Sequence, residues 1–235
     1  IITITPCRET CKVFFYRGYM GNIKVVIKKV NSEMVDNRWE ELVDGLYEQR
    51  KEAVERLKNK KAACVSIMAG YLLIEAVKEL YGIDKDNIRV LKTEFGKPYL
   101  ENYNDFKYNI SHSGDYVAIA YGKEDVGIDI EQIRETDLEI ANRFFHNDEI
   151  NYITEINKEQ NKRFFEIWTG KEAYLKYTGQ GINVPLDSVV VNIEEKKIQN
   201  INIGIDVKQV DDLLVTVCAL DVTDIDYKID VYDTK

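Results

Sequence analysis

Between residues 12 and 30, β-branched and aromatic side chains cluster and alternate, first in C-K-V-F-F-Y and then in I-K-V-V-I-K-K-V. This pattern predicts two strands joined around Gly18 to Asn22. The period then changes. Val43, Leu46, Tyr47, Val54 and Leu57 recur near a 3.6-residue spacing amid charge, and Ala62 to Leu80 predicts a longer, more apolar helix ended by Gly82. Strands are expected at 88–91 and 116–121 (Y-V-A-I-A-Y), with G-K-P and S-H-S-G as loops. From residue 126 the grammar repeats: a strand at 126–131, helices at 138–156 and 159–178, a stop at T-G-Q-G, then strands at 188–193, 198–206 and 213–221.

Each half thus reads as strand, helices, strands. The polar turn Lys123, Glu124, Asp125 separates two predicted strands and divides the chain almost evenly, into 1–122 and 123–235. The halves share no obvious sequence identity, so the repeat is architectural. The expected fold class is α+β: two similar α+β halves related by a pseudo-twofold axis, with the second half carrying the chemistry. A cleft between two such halves is a favoured place for a ligand.

At 235 residues, 45% hydrophobic and 31% charged, the composition is that of a globular protein able to bury a substantial core. No apolar run approaches eighteen residues, so no membrane span is expected. The net charge of −9 argues against nucleic acid as a main partner. The densest basic run, Arg50, Lys51, Arg56, Lys58, Lys60 and Lys61, reads either as a solvated helix face or as an anion-binding patch. Cysteines at 7, 11, 64 and 218 have no framework spacing, and Cys7 with Cys11 is a weak metal pair in a chain with two histidines. I-I-T-I-T-P lacks the basic segment and apolar stretch of a signal peptide, so reduced thiols and a cytoplasmic location are expected. His146, in F-F-H-N-D-E, reads as a surface or helix-start residue.

Two runs carry candidate chemistry. V-G-I-D-I-E places Asp129 and Glu131 two apart, on the side of a strand opposite Ile128 and Ile130. W-T-G-K-E-A-Y-L-K places Trp168, Glu172 and Lys176 on one stripe of a helix. Taken singly, these are a wet strand face and a surface Glu–Lys pair worth ~0.3–0.5 kcal/mol. If the two faces meet, three carboxylates and an ammonium converge. Hard oxygen donors in that number suit Mg²⁺, which keeps several waters and takes further oxygens from substrate phosphates. Crowded carboxylates repel unless a cation lies among them. Ser111-His112 also invites a serine-hydrolase reading, but no G-x-S-x-G elbow and no third triad member is present.

Together with F-G-K-P-Y at 95–99 and N-I-S-H-S at 109–113, these runs resemble the motifs of the 4′-phosphopantetheinyl transferases, in the longer, two-half type that acts on carrier proteins. The likeness covers residues 95–181. It implies a monomer of two fused halves that moves 4′-phosphopantetheine from coenzyme A to a serine hydroxyl of an apo acyl or peptidyl carrier protein, with Mg²⁺ required and 3′,5′-ADP released. It implies Asp129, Glu131 and Glu172 as metal ligands and Glu172 as the base for the incoming serine. It places Lys176 against the departing phosphate, and Lys97, Pro98, Ser111 and His112 on coenzyme A. The family often has Arg followed by Ser or Thr and Leu in the apolar helix, where this chain has Cys64, Val65, Ser66 and Ile67. The 3′-phosphate contacts therefore stay open among Arg50, Arg56, Lys60 and Lys61. Residues 1–45 match the pattern poorly and inherit nothing from it. Two alternatives of other classes are a non-catalytic coenzyme A-binding scaffold and a metal-dependent pyrophosphate hydrolase.

Overall fold

The computed structural model describes residues 23–230, so the first strand expected in 12–30 and the Cys7–Cys11 pair lie outside the described residues. Among the described residues the first half runs from β1 (Ile23–Lys29) through three short helices, α1 (Ser32–Asn37), α2 (Trp39–Asp44) and α3 (Glu48–Glu55). The long α4 (Lys60–Tyr81), a small hairpin of β2 (Val90–Lys92) and β3 (Pro98–Leu100), then β4 (Lys107–Ser113) and β5 (Tyr116–Gly122) complete it. The second half runs β6 (Val126–Gln132), α5 (Glu139–Phe144), α6 (Asn147–Thr154) and the long α7 (Gln160–Thr178). It continues with β7 (Val191–Asn192), β8 (Lys197–Ile198), β9 (Ile203–Val210), β10 (Leu213–Ala219) and β11 (Ile225–Asp230).

Strand order carries the repeat. The first half pairs as β1-β5-β4 and the second as β6-β10-β9, so in each the opening strand lies against the last strand of its closing antiparallel hairpin. The long helices α4 and α7 both stop at a left-handed glycine, Gly82 at φ 66° and Gly179 at φ 71°. Glycine adopts that conformation without a Cβ penalty.

Period-two alternation builds three stacked cores. Ile23, Val25 and Ile27 of β1, Ala118 and Ala120 of β5, Ile128 and Ile130 of β6, and Val215 and Val217 of β10 fill the space between the two sheets. The opposite face of the first sheet, through Val117, Ile119 and Tyr121, packs on α4. The opposite face of the second, through Leu214 and Cys218, packs beneath α7. The result is helix, sheet, sheet, helix.

The sequence reading needs four corrections. The S-H-S segment expected as a loop is the end of β4, because N-I-S-H-S pairs residue for residue with β5. The helix expected over 138–156 is two, interrupted at Phe145 in extended conformation; His146 then caps α6 through a reciprocal box with Glu149. Residues 188–206 hold two short strands and a turn before β9 rather than two long strands. Finally, β11, which the pattern reading omitted, returns to the first half's sheet and pairs parallel to β1, so the second half is not spatially separate.

Candidate active site

Among the described residues the β6 strand is an edge, with β10 on one side and no backbone ladder on the other. On that open side lies β4, and its side chains do what a neighbouring backbone would do. Asn109 Oδ1 accepts from Ile128 N at 3.1 Å, Ser111 Oγ from Ile130 N at 3.3 Å, and Ser113 Oγ from Gln132 N at 3.2 Å. Every second residue of β4 serves every second amide of β6, which is the register that two pleated strands impose. Buried amides left unpaired would be destabilising, so this seam satisfies the edge.

The carboxylates lie on the same seam. Asp129, 6% exposed, accepts at Oδ1 from Ser111 Oγ at 2.8 Å and from Lys176 Nζ at 2.6 Å. Lys176 also donates to Ser111 Oγ at 2.9 Å. Glu131 Oε2 accepts from Ser113 Oγ at 2.7 Å and from Arg134 Nη1 at 2.9 Å. Burial pushes the Asp129 carboxyl above the usual carboxylate range, against the pull of the Lys176 ammonium, and the charge of Glu131 adds to the rise. Glu172 is raised too, first by burial and next by the charge of Asp129, with Lys176 opposing and Glu131 adding. The three carboxylates therefore share one electrostatic neighbourhood.

Helix α7 reaches this seam because of one glycine. A Cβ on Gly127 would lie 2.0 Å from Ala173 O and 2.5 Å from Tyr177 N, so the helix backbone rests directly on β6 where no side chain fits. The stripe of Trp168, Glu172 and Lys176 is half-buried, while Ala173 and Leu175 beside it are buried in the core. The next residue on the inner side, Lys171, is fully buried. Its ammonium bonds Glu149 at 2.6 Å and the carbonyls of Leu186 and Val189. Glu149 in turn accepts from Val191 N at 2.7 Å, so one buried ion pair ties α6, α7 and β7 together.

A cavity of about 220 Å³ opens at the seam, lined by Phe95, Lys97, Asn109, Glu172, Lys176 and Gly181 among others. Lys97 stands at its rim. Its ammonium donates to Tyr177 O at 2.5 Å, pairs with Asp125 at 3.1 Å and lies over the Tyr177 ring. Pro98 opens β3 beside it, and a second cavity of about 270 Å³ continues past Lys97 and Pro98 toward Tyr99, Tyr103 and Phe106.

The structure thus gathers Asp129, Glu131, Glu172 and Lys176 and sets Lys97 and Pro98 at the same mouth. It parts Ser111 from His112. Adjacent strand residues point to opposite faces, and His112 is exposed on the other side of β4 from the carboxylates. Ser111 was expected on a phosphate oxygen; here its one O–H donates to Asp129 and its two acceptor sites take Ile130 N and Lys176 Nζ. The residues that the sequence reading missed are Asn109, Ser113, Gly127 and Lys171. The alternating polar positions of N-I-S-H-S were the available signal for the first two.

Among the described residues, no three acidic, histidine or cysteine side chains form a ready metal cage. The donor chemistry nonetheless fits Mg²⁺, because carboxylates that raise one another's pKa are what a divalent cation relieves and the ion takes its other oxygens from water and phosphate. The basic run is mostly paired at the surface: Lys51 with Asp44, Arg56 with Glu52, Lys60 with Asp36 and Lys61 with Asp115. Arg50 differs. It lies along α4, donates from Nη1 to Ser66 Oγ at 3.3 Å and from Nε to the Tyr47 hydroxyl at 3.2 Å.

Two family models match consecutive parts of the chain: "4′-phosphopantetheinyl transferase, N-terminal" over residues 33–124 and "4′-phosphopantetheinyl transferase superfamily" over 125–218. The second spans the seam strand β6 and helix α7. The 4′-phosphopantetheinyl transferase gsp of Aneurinibacillus migulanus is 36% identical over 169 residues, 71% of this chain and 70% of that protein. The chain belongs to the 4′-phosphopantetheinyl transferase superfamily. The Sfp transferase of Bacillus subtilis is 34% identical over 148 residues, 63% of this chain and 66% of its own length. The L-aminoadipate-semialdehyde dehydrogenase-phosphopantetheinyl transferase of Rattus norvegicus is 33% identical over 142 residues, covering 54% and 46%. The matched region thus spans about two thirds of the bacterial transferases and less than half of the rat one. Among the described residues no helix is long and apolar enough to cross a membrane.

Proposed function

We propose that this transferase moves 4′-phosphopantetheine from coenzyme A to a serine hydroxyl of an apo carrier protein, releasing 3′,5′-ADP, and that it works as a monomer in the cytoplasm. The observation that carries the reading is the convergence of Asp129, Glu131, Glu172 and Lys176 on one seam, beside a cavity that Glu172, Lys176 and Lys97 line. Coenzyme A lies along the two neighbouring cavities that share Lys97 and Pro98, with those two residues beside its phosphates and adenosine end, and His112, on the other face of β4, would meet only a part of the ligand that passes beyond them. Asp129, Glu131 and Glu172 would hold Mg²⁺, which when bound supplies positive charge to the pyrophosphate oxygens.

The chain's own groups do the rest. The carrier serine oxygen forms a bond to the β-phosphorus of coenzyme A. The bond from that phosphorus to the bridging oxygen breaks, and the electron pair leaves with 3′,5′-ADP. Glu172, whose burial and acidic neighbours raise its proton affinity, takes the serine proton. Lys176 faces the α-phosphate side and balances the charge that grows there. The buried seam keeps these groups aligned and limits water, which would otherwise compete with the serine.

Fluorescent coenzyme A incubated with apo carrier proteins of fatty-acid, polyketide and peptide synthesis tests the reading. Labelled carrier protein is the expected product. Free labelled phosphopantetheine with unlabelled carriers would mean hydrolysis, and intact coenzyme A would mean a binding scaffold.

A further inference from the structure

The seam repeats a unit that the reaction does not explain by itself. Ser111 accepts the amide of Ile130 and donates to the carboxylate of the residue before it, Asp129. Two residues on, Ser113 accepts the amide of Gln132 and donates to the carboxylate of the residue before it, Glu131. Each serine of β4 thus grips one peptide unit of β6 at both its N–H and its acidic side chain. Asn109 occupies the same register one step earlier, where it accepts from Ile128 N and the preceding residue is Gly127, which has no side chain to hold. The acidic grip is present at the two positions that carry carboxylates.

We propose that Ser111 and Ser113 are positioning residues: they fix Asp129 and Glu131 at the seam beside the cavity, so that the first half of the chain sets the geometry of a cation site built mainly from the second. This deepens the function proposed above and rests on it. Two physical points support the assignment. A carboxylate on a strand has free χ1 and χ2 rotations, and a hydrogen bond from a buried, fully engaged hydroxyl removes that freedom before any ligand arrives. The hydroxyl of Ser111 is engaged by three partners within the seam itself, Asp129, Ile130 N and Lys176. Lys176 belongs to the same network and is the one member that can leave Asp129 when another cation takes its place, since its long stem reaches from α7 across the seam.

The test uses the full chain and two ligands measured separately. Ser113→Ala should bind coenzyme A in excess EDTA as the parent does, within about twofold. Ser111→Ala and Ser113→Ala should both take up Mn²⁺, counted by electron paramagnetic resonance with coenzyme A present, about tenfold or more weakly, the usual effect of removing a group that orients a metal ligand. Ser113→Thr keeps the hydroxyl and should restore Mn²⁺ affinity to within about threefold; a merely structural serine would not need the hydroxyl for this readout. Since Ser111 is buried and its alanine variant could fail to fold, Ser113 at the less buried end carries the test alone if needed. Unchanged Mn²⁺ affinity in the alanine variants overturns the assignment while leaving the metal site intact. Loss of coenzyme A binding by Ser113→Ala in EDTA overturns it in favour of a direct phosphate contact. A parent protein that takes up no Mn²⁺ removes both this inference and the metal reading beneath it.

Discussion

Lys176 shows how one side chain can be assigned from spacing and then refined by geometry. Its place four residues after Glu172 puts it on the right face of α7, which the sequence alone makes visible. Its bonds to Asp129 and Ser111 across the seam were not visible, because they depend on which strand lies under the helix. If Lys176 acts on charge that grows on the leaving phosphate, its effect belongs to the transition state. Lys176→Met should then lower the single-turnover rate at saturating coenzyme A by about 10²–10³-fold, the size found for single electrostatic stabilisers, with a much smaller change in coenzyme A affinity. Loss of affinity at a normal rate would make it a ground-state anchor. The serines illustrate the opposite limit of legibility. Ser111 and His112 were read as one loop pair with one ligand, and the strand they share sends them to opposite faces.

At the scale of elements, the long helices and β5, β6 and β10 were legible because periodicity and burial agree there. Other elements were not: the end of β4 reads as a loop because its seam face is Asn, Ser and Ser, and β11 was omitted although I-D-Y-K-I-D alternates, because its apolar positions are only half-buried at the sheet's edge. The approach of α7 to β6 is set by Gly127. Gly127→Ala should force the helix away, lowering stability by about 3 kcal/mol as overpacked cores do. The same displacement of Glu172 and Lys176 should lower turnover about a hundredfold, since misplacements of that size carry such losses. Denaturant melts and single-turnover assays on the one variant check both. The Lys171–Glu149 pair anchors the other side of α7. Lys171, 0% exposed, is held below the usual ammonium range by burial, which Glu149 opposes. Lys171→Met should cost about 3–5 kcal/mol because it leaves Glu149 buried without its cation. Lys51→Met, which breaks the solvent-screened surface pair with Asp44, should leave the urea midpoint almost unchanged. Equal losses in urea melts would refute the distinction.

For the whole molecule, the repeated strand order β1-β5-β4 and β6-β10-β9 places two edges side by side, and the candidate site occupies the seam they form. Strand β11 reinforces this arrangement, since it crosses back to pair with β1 and extends the first sheet on the side away from the seam. A net charge of −9 makes the local cations at the cavity decisive, because coenzyme A is itself anionic and must approach against the overall field. The alternation of strands and helices made the two halves readable in advance. The seam was not, since no pattern within either half announces which edges meet. Intact mass measurement of an apo carrier protein after incubation with the enzyme, coenzyme A and Mg²⁺ tests the central claim most directly. The account predicts one added 4′-phosphopantetheinyl group on the carrier serine with an equal amount of 3′,5′-ADP, and loss of both products in EDTA or with Glu172→Ala. A carrier of unchanged mass, with coenzyme A either intact or cleaved to free phosphopantetheine, would contradict it.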